Sequence, residues 1–297
     1  MPLESRESIG IGKHGGERTL CKGGSGPTEC GIVDRLTPDL GFEMQPQPYP
    51  KLTHPPIVEA VIEFKVATAA KPEMSDLDPL REALKERFPK VRKVHIVQTQ
   101  LRVEEDREPQ QQSTASPIGL RFDSTDERFV VQPRLDGIAV SQLAPYDEWD
   151  QLLALTKDMW APYATALKVS AVTRLGVRYI NRIELSDPVT DLDRVLTAGP
   201  KIPPAMPQGL MEFFSRVVVP VPALRAHVAI MQTLDPGPPP QPGKPSSQGI
   251  ILDIDAFSEE TFSPDDPALW TALAALRNAK NMAFFGSITP DTLKAYQ

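Results

Sequence analysis

Cysteine, long apolar runs and clustered histidine are what this chain has least of, and each shortage removes a class of function. Only two cysteines occur among the 297 residues, Cys21 and Cys30. Their spacing fits neither a zinc pair nor a redox Cys-x-x-Cys motif, and from residue 44 onward the chain has no thiol. Structural disulfides and a cysteine nucleophile are excluded there. No stretch approaches the roughly 18 to 20 apolar residues of a membrane span. The first 43 residues also lack the apolar run of about 7 to 15 residues that a secretory signal needs, and Glu4, Glu7 and Glu17 stand where such a signal is basic. The expectation is a cytoplasmic protein without a membrane partner. His14, His54, His95 and His227 are scattered, which argues against paired-histidine metal or triad chemistry. There is no Gly-x-x-x-x-Gly-Lys-Ser/Thr loop, Gly-x-Ser-x-Gly elbow or His-Glu-x-x-His, and no Gly-x-Gly-x-x-Gly follows a strand. No cofactor and no metal are expected.

Positive charge is also in deficit. The formal net charge is −7, and without the five Lys/Arg and seven Asp/Glu of residues 1–43 the remainder still carries 27 against 32. Duplex binding by phosphate neutralisation uses a basic stripe, so a nucleic-acid partner is not expected.

Residues 1–43 hold nine of the 18 glycines and no apolar period. They read as a disordered tail or as a mis-assigned start, with Met44 as the true first residue. From there the chain is written twice in one order. Alternation places Val58, Ala60, Ile62, Phe64 and Val66 on one side of a strand and Glu59, Val61, Glu63 and Lys65 on the other. A helix from Ser75 stops at Pro89 and is followed by a strand Val94–Val103. After a charged loop Glu104–Ser113 come strands Ile118–Phe122, Arg128–Arg134 and Ile138–Leu143, with Asp136-Gly137 as a hairpin turn. Asp147 is placed to cap a long helix carrying Trp149, Leu152, Met159, Trp160 and Tyr163. The second half runs strand Val172–Leu185, a helical turn at Asp191–Leu196, strands Met211–Val221, Ala226–Leu234 and Gly249–Phe257, and helix Pro267–Phe285. Between the last two strands Asp235–Ser247 is rich in proline and reads as an exposed tip.

Strands clustered between helices predict an α+β fold. The expected architecture is two β-α-β-β-β(β)-α halves, residues 44–168 and 169–297, forming one curved antiparallel sheet about a pseudo-two-fold with helices on one side.

Four blocks, His54-Pro-Pro-Ile-Val-Glu-Ala-Val61, Leu143-Ala-Pro-Tyr-Asp-Glu-Trp149, Thr173-Arg-Leu-Gly-Val-Arg-Tyr-Ile-Asn-Arg182 and Leu276-Arg-Asn-Ala-Lys-Asn-Met-Ala-Phe-Phe285, lie in this order. Together they resemble a sporadically distributed bacterial protein family of unassigned function. The resemblance covers residues 47 to 290 and implies a compact cytoplasmic protein; it brings no catalytic residues with it.

Chemistry is sought on the wet face of the sheet. The strand Thr173–Leu185 sends Arg174, Arg178 and Arg182 to one side, and Ile250–Phe257 sends Asp253 and Asp255 outward. If the leading strands of the halves meet, Glu59 and Glu63 face the arginines. Cross-strand ion pairing is the simplest outcome; a docking surface for carboxylate or phosphate is the functional one. Three functions are open on these residues: a non-enzymatic protein-binding module using the charged face, a sensor closing around a small anionic ligand between the halves, and a metal-dependent hydrolase. They separate by an exposed apolar rim, an enclosed pocket and converging carboxylates respectively. A homodimer through an open sheet edge is compatible with each. Trp149, Trp160, Trp270, Phe284 and Phe285 fall on helical spacing and are expected in the core.

Overall fold

The computed structural model describes residues 49–102, 110–185, 191–237 and 248–297. The expectations about residues 1–43 and Met44, about residues 104–109 of the charged loop and about residues 238–247 of the proline-rich segment lie outside them. The described residues pack as one unit.

Among the described residues there are nine strands and a few helices. Strand β1 (Ile57–Thr68) leads through a 3-10 turn (Met74–Leu77) into α1 (Asp78–Leu84). Strands β2 (Lys90–Arg102), β3 (Gln110–Asp123), β4 (Phe129–Arg134) and β5 (Gly137–Leu143) follow, then α2 (Trp149–Ala166). Next come β6 (Val169–Glu184), β7 (Phe214–Val221), β8 (Ala226–Asp235), β9 (Gly249–Ser258), α3 (Ala268–Ser287) and α4 (Pro290–Lys294). All nine strands lie in one open sheet of order β2-β3-β4-β5-β1-β6-β9-β8-β7, and every neighbouring pair is antiparallel. The fold is α+β.

The two central strands explain the architecture. β1 pairs with β6 from Ile57 opposite Asn181 to Thr68 opposite Val169, so the alternation of each strand is summed across the seam. Ala60, Ile62 and Phe64 of β1 and Leu175, Val177 and Ile183 of β6 are all fully buried. Each large apolar side chain so buried contributes about 1.5–3 kcal/mol. The Phe64 ring lies 4.6 Å from that of Trp160 in α2 and 6.0 Å from that of Trp270 in α3; both long helices therefore cover the same face. The Asp136-Gly137 turn joins β4 to β5 as expected, and glycine is required there because a Cβ at Gly137 would stand 2.3 Å from the Phe64 carbonyl oxygen of β1.

Two local expectations change. Asp147 does not cap α2: the residue before the helix is Glu148, which makes no side-chain cap bond, and the Asp147 carboxylate instead pairs with Arg128. A guanidinium within reach outcompetes the free amides of the first helical turn for the carboxylate. Strand β3 also starts earlier than the apolar alternation indicates, at Gln110. Its polar opening residues Gln110–Thr114 are held by backbone pairing with Arg102–Gln98 of β2.

β2 and β7 are the sheet edges. On β7, Phe214 is 67% exposed, and Val217, Val218 and Val219 are also open to solvent.

Candidate functional site

The face of the sheet away from α2 and α3 carries the predicted charges, and they are bound to one another. Glu63 on β1 accepts from Arg134 at the end of β4 and, at 2.8 Å, from Arg174 on β6. Arg174 also donates to Asp255 on β9 at 2.6 Å, and its guanidinium lies 4.6 Å from the Phe257 ring centroid. The neighbouring Gly176 makes room for this: a Cβ there would lie 2.7 Å from an Arg174 terminal nitrogen. Arg178 grips Asp253 in a fork, Nε to Oδ1 at 2.8 Å and a terminal nitrogen to Oδ2 at 2.5 Å. Arg182 reaches Asp235 at 2.6 Å and Glu184 at 3.3 Å. Glu59, the remaining predicted member, sits opposite Ile180 and Leu143 in the ladder and acts on Arg178 through its charge without a bond to it.

Electrostatics follow from this pairing. Hydrogen bonding to Asp253 raises the Arg178 pKa above its usual value, and the Asp253 side chain is only 5% exposed. Burial holds the Asp255 carboxyl above the usual carboxylate range in spite of Arg174 beside it. The row is a ladder of paired charges running from β4 to β8, in which Asp255 Oδ1 and Arg134 Nε are buried without a hydrogen bond. Among the described residues no three His, Cys, Asp or Glu side chains converge as a metal site requires.

The opposite face holds a cavity that the charge pattern did not indicate. Its volume is about 320 Å³, and it opens between the N-terminal end of α2, the C-terminal half of α3 and the seam of β1 and β6. Alternation along β6 turns Tyr179 and Asn181 to this side, and the helical spacing 277, 280, 281, 284 brings Arg277, Lys280, Asn281 and Phe284 over them. The segment Tyr49–Pro55 closes one wall: Tyr49 stacks on Phe285 at 4.7 Å between ring centroids, and the amides of Thr53 and His54 donate to the Tyr296 carbonyl at 2.9 and 3.2 Å. Tyr146, just before α2, completes the floor through a 2.8 Å hydroxyl contact with Tyr179.

Lys280 is the unusual group. It is 6% exposed, its Nζ stands 3.6 Å from the Tyr179 ring centroid and it donates to Asn281 Oδ1 at 2.5 Å. Among the described residues no carboxylate pairs with it. Burial, reinforced by the Arg277 charge, lowers its pKa to about 7. Arg277 lies one turn away, its guanidinium 5.2 Å from the Trp149 ring centroid. Acidic groups at the rim are largely engaged elsewhere, Glu148 with Lys51 at 2.5 Å and Asp147 with Arg128. Burial also raises the Tyr146 and Tyr179 pKa values, so both phenols stay protonated in neutral solution.

No protein-family model matches this chain, and none of the curated proteins is similar to it in sequence. Among the described residues no helix is long and apolar enough to cross a membrane.

The aromatic residues read as core are so in part. Trp149, Trp160 and Phe284 are each 5% exposed, but Trp149, Phe284 and Phe285 also line the cavity. All four sequence blocks quoted above send residues into it: Pro55 and Ile57, Tyr146 to Trp149, Tyr179 and Asn181, and Arg277 to Phe285. One sequence signal could have located it. The buried stripe of α3 runs Leu269, Leu273, Leu276, Lys280, Phe284, and Lys280 is a cation in a position where the spacing calls for an apolar side chain.

Proposed function

We propose that this chain is a non-enzymatic binding protein that senses a small anionic ligand in the cavity between α2 and α3. The observation that carries this reading is Lys280, a buried cation beside Arg277 that no carboxylate pairs with among the described residues. An unpaired charge in a dry site costs several kcal/mol, and an anion entering from solvent relieves that cost. The arginines of the open sheet face lend themselves less to recognition, because a ligand there has to displace Glu63, Asp253, Asp255 or Asp235. A cavity of about 320 Å³ lies at the small end of ligand sites, which span roughly 300–1,000 Å³, and suits a metabolite with one or two acidic groups. The site lies between residues 44–168 and 169–297. We read these as duplicated halves about a pseudo-two-fold in a cytoplasmic protein, a reading supported by the central β1–β6 pair and by β5 and β9 flanking it.

The test is calorimetry with succinate and with inorganic phosphate at matched ionic strength. Saturable binding is expected, weakened at least tenfold in Arg277→Ala and unchanged in Arg121→Ala, which lies far from the cavity in the chain and lines no part of it. Binding that survives Arg277→Ala, or equals that of chloride, counts against the cavity.

A protein partner is the second reading, and the exposed apolar strand β7 is what favours it. Edge strands accept an added strand from another chain. Concentration-dependent association is expected in sedimentation and its loss in Val218→Lys; a chain that stays monomeric, or association that survives Val218→Lys, counts against this reading.

A further inference from the structure

The geometry points to Lys280 as a nucleophile that captures a 2-oxo carboxylate as a reversible imine, with Arg277 holding the carboxylate. This deepens the proposed binding function and rests on it.

The argument starts from the two cations on α3. Residues 277 and 280 are three apart on one helix face, and such positions have Cβ atoms about 5–6 Å apart. Both line the same cavity. In a 2-oxo acid the electrophilic carbon is bonded directly to the carboxylate, so a ligand whose carboxylate meets the Arg277 guanidinium brings its carbonyl within the reach of a neighbouring lysine. Arginine suits this task because its fork binds a carboxylate bidentately.

The lysine itself is prepared for attack. Amines act as nucleophiles only when unprotonated, and enclosure in an apolar site next to a second cation is a recognised way of making them so. Lys280 has both conditions: burial and Arg277. Among the described residues its surroundings supply no competing carboxylate bond. Asn281 is a neutral acceptor on α3, Tyr179 presents a ring from β6, and the rim acids Glu148 and Asp147 are tied to Lys51 and Arg128. Asp150 also lines the cavity, with its side chain on exposed surface at the start of α2.

The step balances without an oxidant. The Nζ lone pair forms a bond to the carbonyl carbon while the carbonyl π pair moves to oxygen, which takes a proton. The nitrogen loses one proton, and the carbinolamine hydroxyl then leaves as water after accepting another. The product is a C=N bond, with one water released. Water entering the open side of the cavity passes those protons; the Tyr179 hydroxyl is hydrogen-bonded to Tyr146, and Nζ stands over the ring. A protonated imine keeps a positive charge at the Lys280 position, now matched by the carboxylate of the ligand.

Pyruvate with sodium cyanoborohydride tests this on the full chain. Reduction of the imine leaves a permanent N-(1-carboxyethyl) group, counted by intact mass and located by peptide sequencing. One adduct on Lys280 is expected, forming about tenfold faster than on exposed lysines such as Lys71 and Lys85, slowed in Arg277→Ala and absent in Lys280→Met. Equal labelling of many lysines, or an undiminished adduct count in Lys280→Met, overturns the inference. If calorimetry shows pyruvate binding that depends on Arg277 but no adduct forms on Lys280, the imine is wrong and the anion site stands. If pyruvate, succinate and phosphate all fail to bind, both fall together.

Discussion

The two faces of the sheet use cations in opposite ways. On the open face each of Arg174, Arg178 and Arg182 meets a carboxylate at 2.5–2.6 Å, and the side chains of Arg174 and Arg182 are only 20–21% exposed. On the helix-covered face a single lysine is more deeply enclosed and has only an amide oxygen and an aromatic ring. A paired charge in a partly wet ladder stabilises the fold a little and is spoken for. An unpaired one in an enclosed site destabilises the fold and is available, and natural proteins keep such costs where function requires them.

The largest way to sharpen this contrast is to remove Lys280. Its lowered pKa of about 7 means that between pH 7 and the ordinary lysine value near 10.5 the unfolded chain binds a proton that the folded chain does not. Stability therefore rises with pH across that window, by about 1.4 kcal/mol per unit at most. Below pH 7 both states are protonated and the charge is simply buried. Lys280→Met is expected to unfold about 3 kcal/mol later at pH 6.5 in urea titrations, and to lose the extra rise between pH 7 and 9 that the parent shows. A variant less stable than the parent at pH 6.5 would mean that the lysine is a structural member of the core.

Removing Arg178 does the reverse. Asp253, 5% exposed, would keep a charge without its fork. Breaking buried pairs costs about 3–5 kcal/mol; with Arg178 itself half exposed, about 2 kcal/mol is expected for Arg178→Ala. The same argument makes Arg178→Glu a poor probe of recognition, because it sets a second carboxylate against Asp253. The loss should be recovered in part by Arg178→Ala combined with Asp253→Asn, measured as a double-mutant cycle. Simple additivity would show that the fork contributes nothing.

Gly176→Ala is the mildest of the three. The added methyl group meets the end of the flexible Arg174 side chain, so the arginine must shift away from Glu63 and Asp255. About 1 kcal/mol is expected, with ligand binding in the cavity on the other face unaffected. A comparable loss of binding would tie the two faces together.

Much of the sheet is legible in sequence, because alternation is a one-dimensional signal. The wet and dry sides of Thr173–Glu184 follow from counting by two, and the pairing of Glu63 with Arg174 follows once β1 and β6 are neighbours. Which strands become neighbours is a long-range property that alternation does not carry. The start of β3 at Gln110 was hidden because glutamine, serine and threonine have no apolar period; the β2 ladder extends the strand. Asp147 has a cap-like position, but its partner Arg128 is 19 residues away in sequence and meets it only in the fold. The cavity was missed for a related reason. Tyr146, Tyr179, Arg277 and Lys280 come from four separate segments, and sequence shows only that a lysine interrupts the apolar stripe of α3, not what stands opposite.

One wall of that cavity is sewn to the far end of the chain. Thr53 and His54 donate to the carbonyl of Tyr296, so the segment beside the ligand site and the turn after α4 come loose or stay put together. Energetic linkage of this kind runs equally in both directions. Whatever occupies the site should slow hydrogen exchange at the Thr53 and His54 amides whose hydrogen bonds the Tyr296 carbonyl accepts, and loosening the turn after α4 should weaken occupancy. The turn after α4 is thus a handle on the cavity wall that lies outside the cavity itself.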